Sequence, residues 1–231
     1  MQLFFARIFA VLLLFSAVDG LADTITFGSG TTWQVSYSSG VLLGNAQNVC
    51  LNATSPSTCP AGATVYGFAG SAWTADLSSI TGTWIWAPGV TGATSPADQQ
   101  TYDFSQSFVL DGSPISGSIS VAVDDFAQVF VNGISVGTTG SLTDFATAQA
   151  AQSQLTSFDI SSALTSGTNT ITVRASNGPA YFAGCNGGCS YSQNAAGVVF
   201  GGSILTAVPE PSTVWLVGSS FLFLLLRRVH Q

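Results

Sequence analysis

Aspartates supply nearly all the charge in residues 23–207 of this 231-residue chain. That stretch contains nine aspartates, no glutamate, histidine or lysine, and a single arginine, Arg174, so its net charge is −8. Without histidine, serine–histidine and cysteine–histidine nucleophiles are excluded. A glycosidase needs two carboxylates about 5–10 Å apart. The nine aspartates could supply such a pair, so an aspartate-based glycosidase is our third hypothesis. Because residues 23–207 contain no histidine and no glutamate, however, we expect a protein that is not an enzyme.

Two adjacent aspartates, Asp124 and Asp125, separate two runs of alternating apolar residues. Hard cations bind several carboxylate and carbonyl oxygens at one turn, so the pair is a candidate calcium site. A solvated turn between strands is the alternative, and no EF-hand or D-x-D-x-D loop supports the metal. In extended backbone, adjacent side chains point to opposite faces, which disfavours the two aspartates as a catalytic pair.

Four aromatic residues are candidates for binding a sugar. Trp84 and Trp86 are two positions apart, so a strand places them on one face, where their indoles can stack on a sugar ring. A place in the core is the alternative for both. Tyr181 and Tyr191 flank the second pair of cysteines, and an aromatic-bearing, stapled loop is suited to recognition.

The four cysteines form two local pairs in the sequence, Cys50 with Cys59 and Cys185 with Cys189. In an exported chain, an even number of closely spaced cysteines predicts disulfides. Three connectivities are open, and we favour the local one. A zinc site is the alternative, but the C-x8-C and C-x3-C spacings suit zinc poorly and this stretch has no histidine.

The apolar residues recur with a period of two, which predicts β-strands. Strands must therefore position the candidate aspartates, aromatic residues and cysteines. About ten short strands between Gly, Ser and Asn turns predict an all-β fold, an antiparallel β-sandwich. Residues 117–137 predict three consecutive antiparallel strands, with a two-residue type I′ hairpin at Asn132-Gly133. Residues 40–62 are predicted to be a long loop with one strand near Asn48, and residues 142–154, rich in Ala and Gln, are the one candidate helix.

Residues from Tyr102 to Leu205 resemble galactose-binding-like jelly-roll domains, including the sugar-binding module of many glycoside hydrolases. The segments that carry the resemblance are Val121-Ala-Val-Asp124-Asp125, Val129-Phe-Val-Asn132-Gly133, Phe158-Asp-Ile-Ser161, Gly167-Thr-Asn-Thr-Ile-Thr-Val173 and Ala196-Gly-Val198. The resemblance implies a jelly-roll fold, an accessory glycan-binding role and a structural calcium. Residues before about 100 do not match it.

The N-terminus has the composition of a secretory signal peptide. Arg7 precedes an apolar run at residues 8–18, and Gly20-Leu21-Ala22 places small residues where signal peptidase cleaves. We predict removal of residues 1–22, so that the mature chain begins at Asp23.

The last 24 residues, 208–231, combine Pro209-Glu210-Pro211, an apolar run and Arg227-Arg228. Residues 213–226 predict a transmembrane helix of about 21 Å, so arginine snorkelling and bilayer thinning must close the gap to a core of about 30 Å. A buried C-terminal helix is the alternative. The order of the three parts resembles the PEP-CTERM sorting signal of bacterial surface proteins, which implies recognition and processing by an exosortase.

These features predict an extracytoplasmic β-sandwich domain, residues 23–207, between a signal peptide and a sorting tail. We expect export, transient anchoring in the inner membrane, and then the cell surface or extracellular matrix of a Gram-negative-type bacterium. The acidic body repels phosphate backbones, so nucleic acid is not an expected partner. The first hypothesis is a non-catalytic surface or biofilm-matrix protein that binds extracellular polysaccharide, and a purely structural or self-associating matrix protein is the alternative.

Overall fold

The computed structural model describes residues 22–51, 59–68, 73–186 and 188–207. The sorting tail and residues 1–21 of the predicted signal peptide lie outside these ranges, and so does the predicted helix at residues 213–226. Within the described ranges, no helix has the length and apolar character needed to cross a membrane.

The described residues contain thirteen strands and one α-helix. The strands are β1 Ala22–Gly28, β2 Gln34–Tyr37, β3 Leu42–Asn45, β4 Gln47–Leu51, β5 Thr64–Tyr66, β6 Ile85–Trp86, β7 Thr101–Leu110, β8 Pro114–Asp124, β9 Phe126–Val131, β10 Ile134–Gly140, β11 Thr156–Asp159, β12 Gly167–Ser176 and β13 Gly197–Ala207. The helix, α1, spans Phe145–Ser153, within the range where the sequence predicts one. Short 3-10 turns occupy Ser161–Ala163 and Ala180–Ala183.

Two sheets share one apolar core. Sheet 1 has the strand order β11-β8-β13-β6-β4-β5, with β1 also paired to β13, and sheet 2 has the order β10-β9-β12-β7-β2-β3. The pairing of β4 with β5 is parallel, so sheet 1 is mixed rather than purely antiparallel. Side chains of both sheets, such as Val121 and Phe200 from sheet 1 and Val129 and Ile171 from sheet 2, belong to one buried cluster. The predicted all-β, sandwich-like fold is confirmed at this level.

Strand β12 shows how the period of two builds this core. Asn169, Ile171, Val173 and Ala175 are buried, whereas the threonines between them are only partly buried. Burying each valine or isoleucine side chain contributes about 1.5–3 kcal/mol. The hydroxyl side chains can therefore face outwards, which supplies solubility to a body with few charged residues.

The predicted hairpin at Asn132-Gly133 is confirmed. Both residues have positive φ angles, 53° and 79°, and Ile134 pairs with Val131 across the turn. Asn132 also bonds beyond its turn: its Nδ2 donates to the Ala163 carbonyl at 2.9 Å, and its Oδ1 accepts from the Thr170 amide at 2.9 Å. The Asn132 side chain therefore joins the hairpin to β12 and to the segment that connects β11 to β12.

Two predictions about local structure are wrong. Residues 40–62 are not simply a loop with one strand, because β3 and β4 both form there. Strands β8, β9 and β10 are consecutive but do not form one sheet. Asp124 pairs with Gly197 in sheet 1, whereas Phe126 pairs with Ser176 in sheet 2, so the chain crosses between the sheets at Asp124-Asp125.

Both local disulfides are confirmed. Cys50 is joined to Cys59 and Cys185 to Cys189, with Cα–Cα distances of 5.8 and 5.9 Å. The first disulfide ties β4 to the chain that leads to β5. The second closes the loop that follows Tyr181.

Candidate functional site

The two aspartates at the crossover between the sheets are buried. Asp124 is 4% exposed and Asp125 is 2% exposed. The alternative interpretation of the pair as a solvated turn between strands is therefore wrong. Trp73 Nε1 donates to Asp124 Oδ2 at 2.8 Å, and the Gly178 amide donates to Asp125 Oδ2 at 2.7 Å. Hydrogen bonds of this kind offset much of the cost of removing the carboxyl groups from water.

Gln152 joins the two carboxyl groups to each other and to α1. Its Nε2 donates to Asp124 Oδ1 at 2.7 Å and to Asp125 Oδ1 at 3.0 Å. The two side chains therefore lie on the same side of the chain, and the expectation of opposite faces is wrong. The reason is that the backbone leaves one sheet and enters the other here, so it is not a continuous strand.

The environment of this carboxyl pair favours one shared proton. Burial raises the pKa of Asp124 well above 3.8, and the neighbouring charge of Asp125 raises it further. Burial also raises the pKa of Asp125, although hydrogen bonds with Asp124, Gly178 and Gln152 act in the opposite direction. We conclude that the pair holds one proton between its two carboxyl groups and carries one negative charge.

The carboxyl pair does not fit the calcium ion expected from the sequence. Each of its four oxygens already accepts a hydrogen bond from an N–H group of Trp73, Gln152 or Gly178. These N–H groups present positive hydrogens where a cation would need free oxygen ligands. Across the described ranges, moreover, three or more His, Cys, Asp or Glu side chains are nowhere grouped as a metal site requires.

A cleft of about 340 Å³ lies beside α1 and next to the carboxyl pair. Its lining includes Trp73, Thr74, Gln149, Gln152 and Gln154. These side chains offer amide and hydroxyl groups and no formal charge. Because Gln152 Nε2 is bonded to the carboxyl pair, its Oε1 is the atom it can offer to a ligand, as a hydrogen-bond acceptor.

Local sequence explains why α1 forms beside the cleft. Asp144 is its N-cap, and the carboxylate accepts a hydrogen bond from the Thr147 amide at 2.7 Å. The helix is rich in alanine, which has the highest helix propensity. Its buried residues are Ala148 and Ala151, so the neighbouring flank is free to present glutamines to the cleft.

Three aromatic residues, Phe145, Tyr181 and Phe182, form an aromatic cluster at the N-terminal end of α1. The rings of Phe145 and Phe182 lie 5.4 Å apart, and those of Tyr181 and Phe182 lie 4.9 Å apart, both edge-on. Phe145 is 49% exposed and Tyr181 is 64% exposed. Helix α1 therefore carries part of an exposed aromatic surface at its start and lines a polar cleft along its length.

The Trp84–Trp86 platform predicted from the sequence does not form. Trp86 is fully buried, its ring packs against Tyr102 and Phe104, and its Nε1 donates to Tyr191 Oη at 2.9 Å. Trp84 is half-buried, and its indole stacks on that of Trp73 with a centroid distance of 4.5 Å. Trp86 is thus a core residue, because β6 lies between β13 and β4 in sheet 1 and the Trp86 ring contacts β7 of sheet 2.

The two predicted tyrosines have different environments. Tyr191 is fully buried, and burial raises its pKa above its usual value of 10.0. Tyr181 lies at the surface within the aromatic cluster. Of the four aromatic candidates, Tyr181 is mostly exposed and Trp84 is partly exposed.

Sequence reasoning missed Trp73, Gln152, Phe145 and Phe182. Trp73 has a φ angle of 59°, a left-handed conformation that is rare for a bulky side chain and is frequent at binding sites. Nothing in the local sequence signals that conformation. For Phe145 there was a signal, since Asp144 is a favourable N-cap and places Phe145 in the first turn.

Comparison with known proteins identifies the C-terminal tail. Residues 207–229 match the PEP-CTERM protein-sorting motif. The chain therefore carries the signal of an exosortase substrate, an exported protein that is sorted to the cell surface. Among curated proteins, none matches this sequence.

Solved structures with some similarity to the chain are parts of glycosidases. They include an FMN-binding beta-glucuronidase from Facaelibacterium prausnitzii L2-6 (14% identity, 80% of this chain, 23% of that chain, TM-score 0.36) and a Lactobacillus rhamnosus beta-glucuronidase (15%, 84%, 30%, TM-score 0.37). A third is the Streptomyces avermitilis alpha-L-rhamnosidase complexed with L-rhamnose (22%, 57%, 12%, TM-score 0.38). The chain spans less than a third of the length of each enzyme, and nothing of their activity is carried over to it.

Proposed function

We propose that this chain is a non-catalytic surface or matrix protein whose β-sandwich binds an uncharged extracellular polysaccharide. The sorting motif supports the destination. The binding surface is the aromatic cluster together with the cleft beside α1. We further assign the sandwich to the galactose-binding-like jelly rolls, on the strength of the segments between Tyr102 and Leu205.

The observation that carries the proposal is the continuity of aromatic and amide groups along α1. Exposed aromatic rings stack on the apolar faces of sugar rings, and amide groups bond to sugar hydroxyls. The helix places Phe145 in the cluster, and it places Gln149 and Gln152 in the lining of the cleft. A cleft of about 340 Å³ lies at the lower end of the usual range for ligand sites, about 300–1,000 Å³.

Charge favours an uncharged ligand over an acidic one. Among the described residues Arg174 is the one basic side chain, and its Nε and Nη2 donate to Asp103 at 2.7 and 2.8 Å. A uronate, sulfate or phosphate group would therefore meet a body with nine aspartates and no free cation in its described part.

Burial of the carboxyl pair supports a non-catalytic role. A glycosidase needs one carboxyl group that reaches the glycosidic oxygen and another that reaches the sugar or its attacking water. Asp124 and Asp125 are closely paired but are enclosed by Trp73, Gln152 and Gly178. Their bonds position the walls of the cleft instead.

Binding to a panel of neutral, acidic and amino-sugar polysaccharides tests the proposal, using the full protein recovered from its host. Replacing Tyr181 with alanine should weaken binding to the neutral polymer by about tenfold, as loss of an aromatic anchor does. Tyr37→Ala is the matched control, because Tyr37 is an exposed tyrosine on β2 in sheet 2. If both variants bind like the unaltered protein, the aromatic cluster is not the site. If no polysaccharide binds and the protein sediments as a multimer, the self-associating matrix protein is the better function.

A further inference from the structure

We propose that Asp124, Asp125 and their shared proton form a pH-sensitive latch that holds α1 and residues 178–182 in place, and so regulates the binding surface. The regulation of polysaccharide binding rests on the proposed function. The latch itself rests on the contacts of the carboxyl pair, and burial of the pair, which raises the pKa of Asp124, sets the direction of its pH dependence.

The carboxyl pair is the point where three separate parts of the chain are tied together. Trp73 donates to Asp124, Gln152 of α1 donates to both carboxyl groups, and the Gly178 amide donates to Asp125. Gly178 leads directly into Tyr181 and Phe182. A side chain at position 178 would collide with the Asp125 carboxylate and the Phe182 ring, so the glycine allows this close approach.

Helix α1 has little else to hold it against the sandwich. Its fully buried side chains are two alanines, Ala148 and Ala151, and Phe145 is half exposed. Because burial of apolar area is the main force that docks a helix, α1 depends strongly on the bonds of Gln152. Segments with little buried area are the first to open locally.

Among the residues that the structure describes, no basic side chain lies beside the carboxyl pair to neutralise a second negative charge. Residues 145–153 of α1 contain no charged side chain, and Asp144 at its start is exposed. From β5, Tyr66 faces Asp124, and burial keeps its phenol neutral by raising its pKa well above 10.0. Tyr191 stacks on Tyr66 and is also neutral, and Asp98 binds the Ala180 amide.

The remaining ionisable groups do not change this. Arg174, the one basic side chain among the described residues, is bonded to Asp103. Loss of the shared proton would therefore place two carboxylates together in a buried site, where their repulsion is only weakly screened. The repulsion should be relieved by movement of α1 and residues 178–182 away from the pair.

The direction of the pH dependence follows from the raised pKa of Asp124. The folded protein binds this proton more tightly than the unfolded chain does, so the stabilisation is complete below about pH 3.8 and is lost as pH rises through the raised pKa. The latch is closed in acid and weakened in base.

Amide hydrogen exchange of the full protein tests the latch without any ligand. Protection factors of α1 and of residues 178–182 should fall as pH rises from 3.8 to the raised pKa of Asp124, by up to about tenfold for each pH unit in that window, and should level off above it. In the Asp124→Asn variant, whose amide is neutral throughout, protection should not change with pH. Asp159→Asn is the matched control: this exposed aspartate bonds Ser161, away from α1, and its loss should leave the pH dependence of α1 intact.

A second measurement keeps the latch testable if the Asp124→Asn variant does not fold. The carboxyl carbon of Asp124 in the unaltered protein, followed by NMR, should titrate above 3.8 together with the amides of α1. Titration at or below 3.8, or α1 protection that is independent of pH, overturns the proposal. Restoration of protection by Ca²⁺ at high pH would also overturn it, because the pair would then be a cation site.

Polysaccharide binding forms a separate arm of the experiment. If the proposed function holds, binding by the unaltered protein weakens as pH rises, and binding by the Asp124→Asn variant does not. If no polysaccharide binds but α1 opens with pH as described, the latch stands and the proposed function fails.

Discussion

Trp73 and Asp124 are 51 positions apart in the sequence and are joined by a hydrogen bond of 2.8 Å between Nε1 and Oδ2. Trp73 lies in the left-handed region and stacks on Trp84, whereas Asp124 ends β8 at the crossover between the sheets. The bond therefore connects the wall of the cleft to the point where the two sheets meet.

We predict that Trp73→Phe destabilises the protein more than Trp33→Phe. Both indoles are buried, and both lose the same atoms, but Trp33 Nε1 donates to the neutral Gly28 carbonyl, whereas Trp73 donates to the charged carboxyl pair. Bonds to neutral groups are worth about 0.5–1.5 kcal/mol and those to charged groups about 1.5–3 kcal/mol. Urea unfolding of both variants measures the difference, and equal losses would contradict a charge on the pair.

Trp86→Ala and Tyr181→Ala should differ greatly in their effect on the free energy of unfolding. Trp86 is fully buried, so its truncation should cost about 3–5 kcal/mol in the free energy of unfolding. Tyr181 is mostly exposed, and its truncation should change stability by no more than about 0.5 kcal/mol. Thermal and denaturant unfolding check both values, and a stable Trp86→Ala variant would show that this indole is not part of the core.

Removal of the two disulfides should cost different amounts. In the chain-entropy model, replacing Cys50 and Cys59 with alanine costs roughly 2.5–3 kcal/mol, and replacing Cys185 and Cys189 costs about 2 kcal/mol, because the second loop is shorter. The second change should also weaken polysaccharide binding, since that loop follows Tyr181. Denaturant unfolding measures the loss in the free energy of unfolding for each double variant. A greater loss for the Cys185 and Cys189 variant than for the Cys50 and Cys59 variant would contradict this prediction.

Asp144→Asn should alter the acid side of the stability profile. Hydrogen bonds from Thr147 hold the pKa of Asp144 below 3.8, so its carboxylate stabilises the fold above that pH, and this contribution is lost as pH falls through the lowered pKa. Asparagine keeps the cap but removes the charge. The difference between the urea midpoints of the unaltered protein and the variant should shrink towards low pH, and urea midpoints at a series of pH values measure it.

Replacing Pro209, Glu210 and Pro211 with alanine should block processing of the tail. The unaltered protein should be recovered from the outer envelope or the medium, with an intact mass that ends near residues 209–212. The variant should stay in the inner membrane and retain Arg227 and Arg228. If the unaltered protein itself keeps both arginines in the inner membrane, the tail acts as an ordinary anchor and the matrix function loses its main support.

Much of the fold was predictable because its signals are local. Alternation in β7, β8 and β12, the Asn132-Gly133 turn and the two closely spaced cysteine pairs each depend on neighbours a few residues apart. Backbone sterics and side-chain periodicity act over that range. The same is true of the sorting motif, whose three parts are consecutive in the sequence.

The site was only partly predictable because its residues meet across long sequence separations. Of the candidates chosen from the sequence, Tyr181 lies on the surface, whereas Trp86 and Tyr191 are core residues that bond to each other. Period two correctly relates neighbouring side chains within a strand. It does not say which strand enters the core, and β6 is too short to express the period.

By itself, the sequence determined the all-β character, the acidic and nearly cation-free body and the sorting signal, and its cysteine spacing favoured the local disulfide pairs that the structure contains. The tertiary structure alone decided that Asp124 and Asp125 are buried, that they face the same side, and that Trp73, Gln152 and Gly178 enclose them. The physical reason is that a carboxyl group acquires its charge state and its role from the dielectric and the donors around it, and here these come from segments that only the folded chain brings together.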